Sequence, residues 1–354
     1  MKHFKRFCLL LAVTALGCGN IHAQYVTTHA KATLPGQQNG IYYSLPRTVL
    51  QLDFIIEETQ LFEGPYSEFA NMVGANDYVI EDGMEYKIKE VVLHPVAEAD
   101  PNATFFVAMS SKKDAKTNFC MTPQGILQGV GIECPIPTCK EVAPILPKEA
   151  SNDINFKYQY STMGGRSVDQ LARSAADMIN KIRDEKLKLI TGFQETAFTP
   201  DTYRQMYADL DAMENDYLSL FVGKRITKTV TKTVYVIPNK DVPTLSVAKF
   251  SSEEGFSIGT NGPGSVITVQ TVSLQTTATI NAPSQSAVES LKLENKLFYR
   301  IPEIATVKVN MGSQLLLEQR ETIAQYGVFM LAPLGKTNIT LDSHTGQVIN
   351  LGLE

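Results

Sequence analysis

The chain has no tryptophan, and aromatic residues make up only 8% of its 354 positions. That scarcity weighs against an outer-membrane β-barrel, whose interfacial girdles consume aromatic side chains. It weighs equally against a glycosidase cleft, where aromatic platforms are common. Positive charge is in deficit, with 32 basic residues against 37 acidic ones. This balance argues against a nucleic-acid partner, which requires a basic face to displace counterions from phosphates. Long apolar runs are missing too: beyond the leader, none reaches the roughly 18 residues of a transmembrane helix, so no such helix is expected.

Cysteine and histidine are scarce, at five each. Cys8 and Cys18 fall in the leader, leaving Cys120, Cys134 and Cys139; His29, His94 and His344 stand at no metal-ligand spacing from them. A zinc site is therefore not expected. The six residues from Cys134 to Cys139 are no Cys-x-x-Cys redox motif, but they fit a small disulfide loop in an oxidising compartment. Pairing of Cys120 with either of the other two is the open alternative. Gly262-Pro263-Gly264 is followed by neither lysine nor helix pattern, which excludes a phosphate loop. No cofactor is implied.

The N-terminus carries Lys2, Lys5 and Arg6 ahead of an apolar run from Phe7 to Leu16. That run is too short to span a bilayer and reads as an export signal. Cleavage between Ala23 and Gln24 is the preferred site. A lipid anchor on Cys18 is the less favoured alternative, because Ala15 stands where a lipoprotein box has a bulky aliphatic residue. The exported chain is expected in the periplasm or at the outer membrane.

Residues 166–223 are the one clear helical stretch. Ser167 with Gln170 forms a capping box, and Leu171, Ala172, Ala175, Ile179, Ile182 and Leu189 recur at helical spacing. Gly192 ends this helix. Thr199 and Pro200 open a second, whose stripe includes Tyr203, Met206, Tyr207, Leu210, Met213 and Tyr217. A binding groove built on Tyr203, Tyr207 and Tyr217 is one reading of that stripe; core filling is the plainer one. The carboxylates Asp209, Asp211, Glu214 and Asp216 read as a solvated face.

On either side lie β-patterned tracts, giving an α+β fold: two mainly antiparallel modules, 24–165 and 224–354, with the helical hairpin at 166–223 between them. Glu98 to Asn102 reads as a polar turn between two strands, and 110–150 as a loop excursion holding the cysteines. The segment Asn-Gly-Ile-Tyr-Tyr-Ser-Leu-Pro ending at Pro46 aligns without gaps to Asn-Lys-Leu-Phe-Tyr-Arg-Ile-Pro ending at Pro302. In each, proline ends one ladder and redirects the chain. The echo marks either a duplicated module or two independent corners.

These segments, with Glu98 to Asn102, Ile190-Thr-Gly192, Leu220-Phe-Val-Gly223, Ile323-Ala-Gln-Tyr-Gly327 and Thr345-Gly346, resemble an uncharacterised domain-of-unknown-function family. Its members are exported envelope proteins of Gram-negative gut and oral anaerobes. The resemblance covers nearly the whole exported chain and implies envelope location without implying an activity.

Within the shared segments, Arg300 and Gln325 need either exposure or a partner. Arg300 is a candidate ligand-gripping residue, with Glu303 or Glu318 as its alternative partner. Asp342, Ser343 and His344 are adjacent and read as a turn, since a hydrolytic triad is assembled from distant segments. The expected function is a non-enzymatic envelope protein binding a protein or glycan. The alternative is a hydrolase using Asp77, Glu81, Asp82 or Glu85, if two of them face each other across a cleft.

Overall fold

The computed structural model describes residues 25–32, 39–109, 117–134, 155–157, 165–191, 199–335 and 337–353. The leader, with Cys18 and Ala23, and Gly192 lie outside the described residues. Strand β1 (Tyr25–His29) precedes two long strands, β2 (Gly40–Phe62) and β3 (Gly83–Met109), then β4 (Phe119–Met121) and β5 (Leu127–Val130). Helices α1 (Val168–Thr191) and α2 (Pro200–Val222) follow, then β6 (Lys224–Val236), β7 (Thr244–Ser251), β8 (Gly255–Ile258) and β9 (Ser265–Ser273). The last elements are α3 (Gln285–Ser290), β10 (Lys292–Glu294), β11 (Lys296–Met311), β12 (Gln314–Pro333), β13 (Thr337–Leu341) and β14 (Val348–Leu353).

These strands form three sheets, ordered β10-β1-β3-β2-β6, β12-β11-β9-β7-β8 and β14-β13-β5-β4, and every ladder between them is antiparallel. The α+β, β-rich class is thus the observed one. The expected modules 24–165 and 224–354 do not keep separate cores, however. β6 and β10 join the first sheet, and β13 and β14 complete the third. The chain leaves β5, makes the helical hairpin and returns to pair β6 with β2 over most of its length, so the hairpin interrupts a sheet rather than joining two modules.

Alternation explains the packing. Leu50, Leu52, Phe54 and Ile56 of β2 face Ile267, Val269, Ala305 and Val307 of the second sheet in one cluster, and all are essentially inaccessible. Each of these side chains apart from the smaller Ala305 contributes roughly 1.5–3 kcal/mol by leaving water. A second cluster gathers Tyr43, Leu45, Phe105, Phe298 and Phe329 with Leu127 and Ile339 of the third sheet. Its aromatic centre is Phe105, stacked on Phe298 at 4.6 Å between centroids and edge-on to Phe329. The edge strand β6 carries Lys228, tied to Glu58 at 2.9 Å, and Lys232. Lysine on an edge is a common guard against unwanted strand addition.

The helical hairpin is built as its sequence dictates. Gln170 N–H donates to Ser167 Oγ, and Ser167 N–H to Gln170 Oε1, completing the capping box. Thr199 Oγ1 accepts from Thr202 N–H, with Pro200 in the first turn. The carboxylate run on α2 is not merely a solvated face. Asp211 and Glu214 converge on Lys186 of α1 at 2.7 and 2.8 Å, and Glu214 also takes Arg183 at 2.7 Å. Burial alone lowers the Lys186 pKa, but the bonds from Asp211 and Glu214 outweigh it and hold the ammonium above its ordinary value.

Glu98 to Asn102 is no chain reversal. β3 runs straight through it, with Ser44 opposite Thr104 and Pro46 opposite Ala99, so that Leu45 alone faces the four residues Asp100 to Ala103. The β11–β12 hairpin breaks in the same way: Ile301 faces Val328 and Glu303 faces Ile323, leaving Pro302 against Ala324 to Gly327. The sequence echo thus marks one device used twice. Asn39 and Asn295 also correspond, since the carbonyl of each accepts the N–H that closes its hairpin, from Met109 and Leu334. Inward faces are out of phase, though: Tyr43 is buried, while the aligned Tyr299 is only half-buried between buried Phe298 and Arg300.

Candidate functional site

The two breaks meet. Arg300 projects from β11 into the first break, where Nη2 donates to Asp100 Oδ2 at 2.9 Å and Nη1 to the Pro46 carbonyl at 2.7 Å. Its guanidinium lies over the Phe329 ring at 4.8 Å, and its backbone N–H donates to Gly346 O at 3.0 Å. Burial pulls this guanidinium below its ordinary pKa, with Asp100 opposing. Arg300 therefore clamps two sheets, and it also lines the second of the two cavities beside the breaks. Its partner is neither Glu303 nor Glu318; the latter pairs with Lys308 at 3.1 Å. The Pro302 break separates Arg300 from Glu303 along β11, and Asp100 approaches from the other hairpin.

The reverse contacts run from the second break into β2. Gln325 Nε2 donates to Thr48 O at 2.9 Å and to Pro238 O at 3.2 Å, while its Oε1 accepts from Thr48 N–H at 2.8 Å. Tyr43 Oη accepts from Phe298 N–H at 3.0 Å and lies 3.3 Å from Phe298 O, to which it donates. Gly327 permits the close packing of β12 on β11 inside the second break, because a Cβ there would lie 1.9 Å from the Ile301 carbonyl oxygen. Gly346, in the left-handed region at φ 77°, brings the turn after Asp342 against Pro46 and Arg300. In that turn Asp342 accepts from His344 N–H and Thr345 Oγ1, so Asp342, Ser343 and His344 form a turn rather than a triad.

Beside the breaks open two cavities of about 650 and 620 Å³, and Lys240 and Tyr326 line both. The first has walls of Gln270, Thr271, Ser273, Thr277 and Glu303 with Ile280 and Val328; Arg47, Asn102, Asn239 and Asp241 line the second. Lys240 lies in a proline-flanked loop, Pro238 to Pro243, that carries the chain from the first sheet to the second. Its Nζ donates to Glu303 Oε2 at 3.1 Å and lies 5.5 Å from the Tyr326 ring centroid. Glu303 is only 2% exposed. Ser273 Oγ donates to its Oε1, and Thr277 Oγ1 donates to its Oε2 at 3.1 Å. Burial on its own raises this carboxyl, but Ser273, Lys240 and Thr277 hold it below the ordinary carboxylate range. Tyr326 Oη is buried without a well-formed hydrogen bond among the described residues. Burial pushes that hydroxyl up, with the adjacent Thr271 hydroxyl opposing.

The residues singled out on α2 do not converge. Tyr217 packs into the helical core at 5% exposure, and Tyr207 lies under the Lys186 ammonium at 5.5 Å. Tyr203 is half-buried, fourteen residues before Tyr217, a rise of about 21 Å along the helix. The proposed Cys134–Cys139 bridge is corrected: Cys134 pairs with Cys120, joining β4 to the segment after β5, while Cys139 lies outside the described residues. Asp77, Glu81, Asp82 and Glu85 are exposed, and none lines either large cavity. Asp77 pairs with Arg225 at 2.7 Å, and Asp82 accepts from Glu63 N–H at 2.6 Å. Among the described residues no His, Cys, Asp and Glu group fits a metal ion, and no helix is long and apolar enough to cross a membrane.

Sequence inspection missed Lys240, Tyr326, Ser273 and Thr277. Tyr326 alone had a signal, as part of the Ile323 to Gly327 segment. No curated protein and no solved structure matches the chain. A domain-of-unknown-function model does match, over residues 39–349, from the asparagine that closes the first hairpin into β14. With both breaks and the cavities between them inside that span, the chain belongs to the family of domain of unknown function DUF4831.

Proposed function

We propose that this is a non-enzymatic exported protein of the bacterial envelope that binds a partner protein through the cleft shared by the two cavities. The observation that carries this reading is the position of Lys240. It lines both cavities, as Tyr326 does, so a ligand that occupies both while touching Lys240 must be extended. A glycan would call for an open aromatic face. Tyr326 is the aromatic ring of the cleft, and the Lys240 ammonium already lies over it. Hydroxyl, amide and aliphatic groups on the walls suit a polypeptide segment instead.

Acid–base catalysis is disfavoured by the same geometry. A carboxylate held ionised by three donors, as Glu303 is, is a weak base near neutral pH. The basic leader, its apolar run and the small residue at Ala23 support export.

Fractionation of cells should recover the protein in the envelope, beginning at Gln24. A photo-crosslinking residue placed at Asn239 or Gln275 should then trap one recurrent partner, and Lys240→Glu should abolish the adduct. Recovery in the cytoplasm would overturn the location. Adducts that form only from Leu187 on the helical hairpin would overturn the site.

A further inference from the structure

Charge around the second cavity is distributed unevenly between committed and uncommitted groups. Its carboxylates are largely engaged: Asp100 by Arg300 and by Asn102 N–H, and Glu289 by Lys31 at 2.9 Å. The neighbouring Glu98 takes one Arg47 nitrogen at 3.0 Å, and Glu303 accepts from Ser273, Thr277 and Lys240. Asp241, on the exposed rim, is the remaining acid.

The cations on the same walls are each paired with one carboxylate but differ in spare donors, and Arg300 is the most engaged of them, with bonds to Asp100 and to the Pro46 carbonyl. An ammonium has three N–H donors and a guanidinium five. Lys240 makes one charged contact, to Glu303, and is 48% exposed. Arg47 makes one, through Nη2, while its Nε is buried without a hydrogen-bond partner among the described residues. A wall with spare donors on two cations, facing acids that are already paired, favours a ligand that brings its own negative charge.

We infer that the wall between Arg47 and Lys240 is a carboxylate-recognition subsite, and that the polypeptide bound in the cleft presents an acidic residue there. This inference rests on the cleft being the partner site. It specifies the partner's chemistry: an extended segment whose aspartate or glutamate side chain, or C-terminal carboxylate, reaches Arg47 and Lys240 together.

The test uses the mature chain and two neutral-ended pentapeptides, Ac-Ala-Ala-Asp-Ala-Ala-NH2 and its asparagine isostere, titrated up to about 10 mM, where even a weak site registers. The aspartate peptide is expected to bind about tenfold more tightly, or about 1.4 kcal/mol. That preference should shrink with added salt and fall below about twofold in Arg47→Gln and in Lys240→Gln, with far-ultraviolet dichroism unchanged. Equal binding of the two peptides, both lost in Thr271→Trp, would overturn the carboxylate subsite and leave the cleft standing. Tighter binding of digalacturonate than of either peptide would overturn the polypeptide occupant. If none of the three probes binds, both the subsite and the cleft reading fail.

Discussion

The two long hairpins break their ladders in the same way, one residue against four, yet they fill the breaks with different chemistry. The β2–β3 break holds a buried ion pair, Asp100 with Arg300, at 7% and 4% side-chain exposure. The β11–β12 break holds a neutral amide, Gln325, bonded to the backbone of β2. The difference teaches what each break is for. An amide that satisfies one N–H and one C=O mends a gap between sheets at little electrostatic cost. A buried ion pair gains little net stability over a well-packed apolar pair, but losing one partner is severe. It fixes which segment can occupy the break, while the Asp342 turn reaches Arg300 separately, through the backbone bond from Arg300 N–H to Gly346 O.

Breaking the charged side should therefore have the largest effect. Asp100→Ala leaves Arg300 buried and uncompensated, and the urea midpoint should register a loss of about 3–5 kcal/mol. The double variant Asp100→Leu/Arg300→Met removes both charges and should lose clearly less than the single one. If the double variant were the worse of the two, the pair would be contributing net attraction rather than specificity.

Breaking the neutral side comes next. Gln325→Ala orphans the Thr48 N–H and C=O, for a cost of about 1–3 kcal/mol. Equilibrium unfolding of Asp100→Ala and Gln325→Ala side by side would rank the two breaks directly. Equal losses would remove the distinction drawn here.

The smallest effect is a pH dependence at the edge of the second break. Glu303 has a folded pKa below its unfolded value. Its contribution is therefore fully present above the unfolded value of about 4.3 and is lost as pH falls through the folded one. Urea midpoints of wild type and Glu303→Gln should run parallel from neutrality down to about pH 5 and converge below about pH 4. Parallel curves throughout would mean that the carboxylate is not specially held.

Much of the fold was legible because it is local. Ser167 with Gln170, Thr199 with Pro200, and the alternation from Thr48 to Thr59 each act within a few residues of chain. The breaks were not legible. Glu98 to Asn102 has turn composition, and only pairing with β2 reveals a strand that bulges and continues. Site residues were harder still. Asp100 and Arg300 lie 200 residues apart in sequence, and Glu303 meets Lys240, Ser273 and Thr277 from two other loops and strands. Lys240 itself sits in an ordinary polar loop whose meaning comes from the sheets it joins. The cysteines show the same limit, since sequence alone left the partner of Cys134 open and the β4–β5 hairpin brings Cys120 to it.

The most direct measurement is lysine footprinting by mass spectrometry, comparing purified protein with protein in its native envelope. If the proposed envelope partner occupies the cleft, Lys240 should label readily when pure and several-fold less in the envelope, while exposed Lys232 on β6 labels equally in both. Equal labelling of Lys240 in the two samples, with protection on the helical hairpin at Lys181 or Lys188 instead, would contradict the cleft as the binding surface.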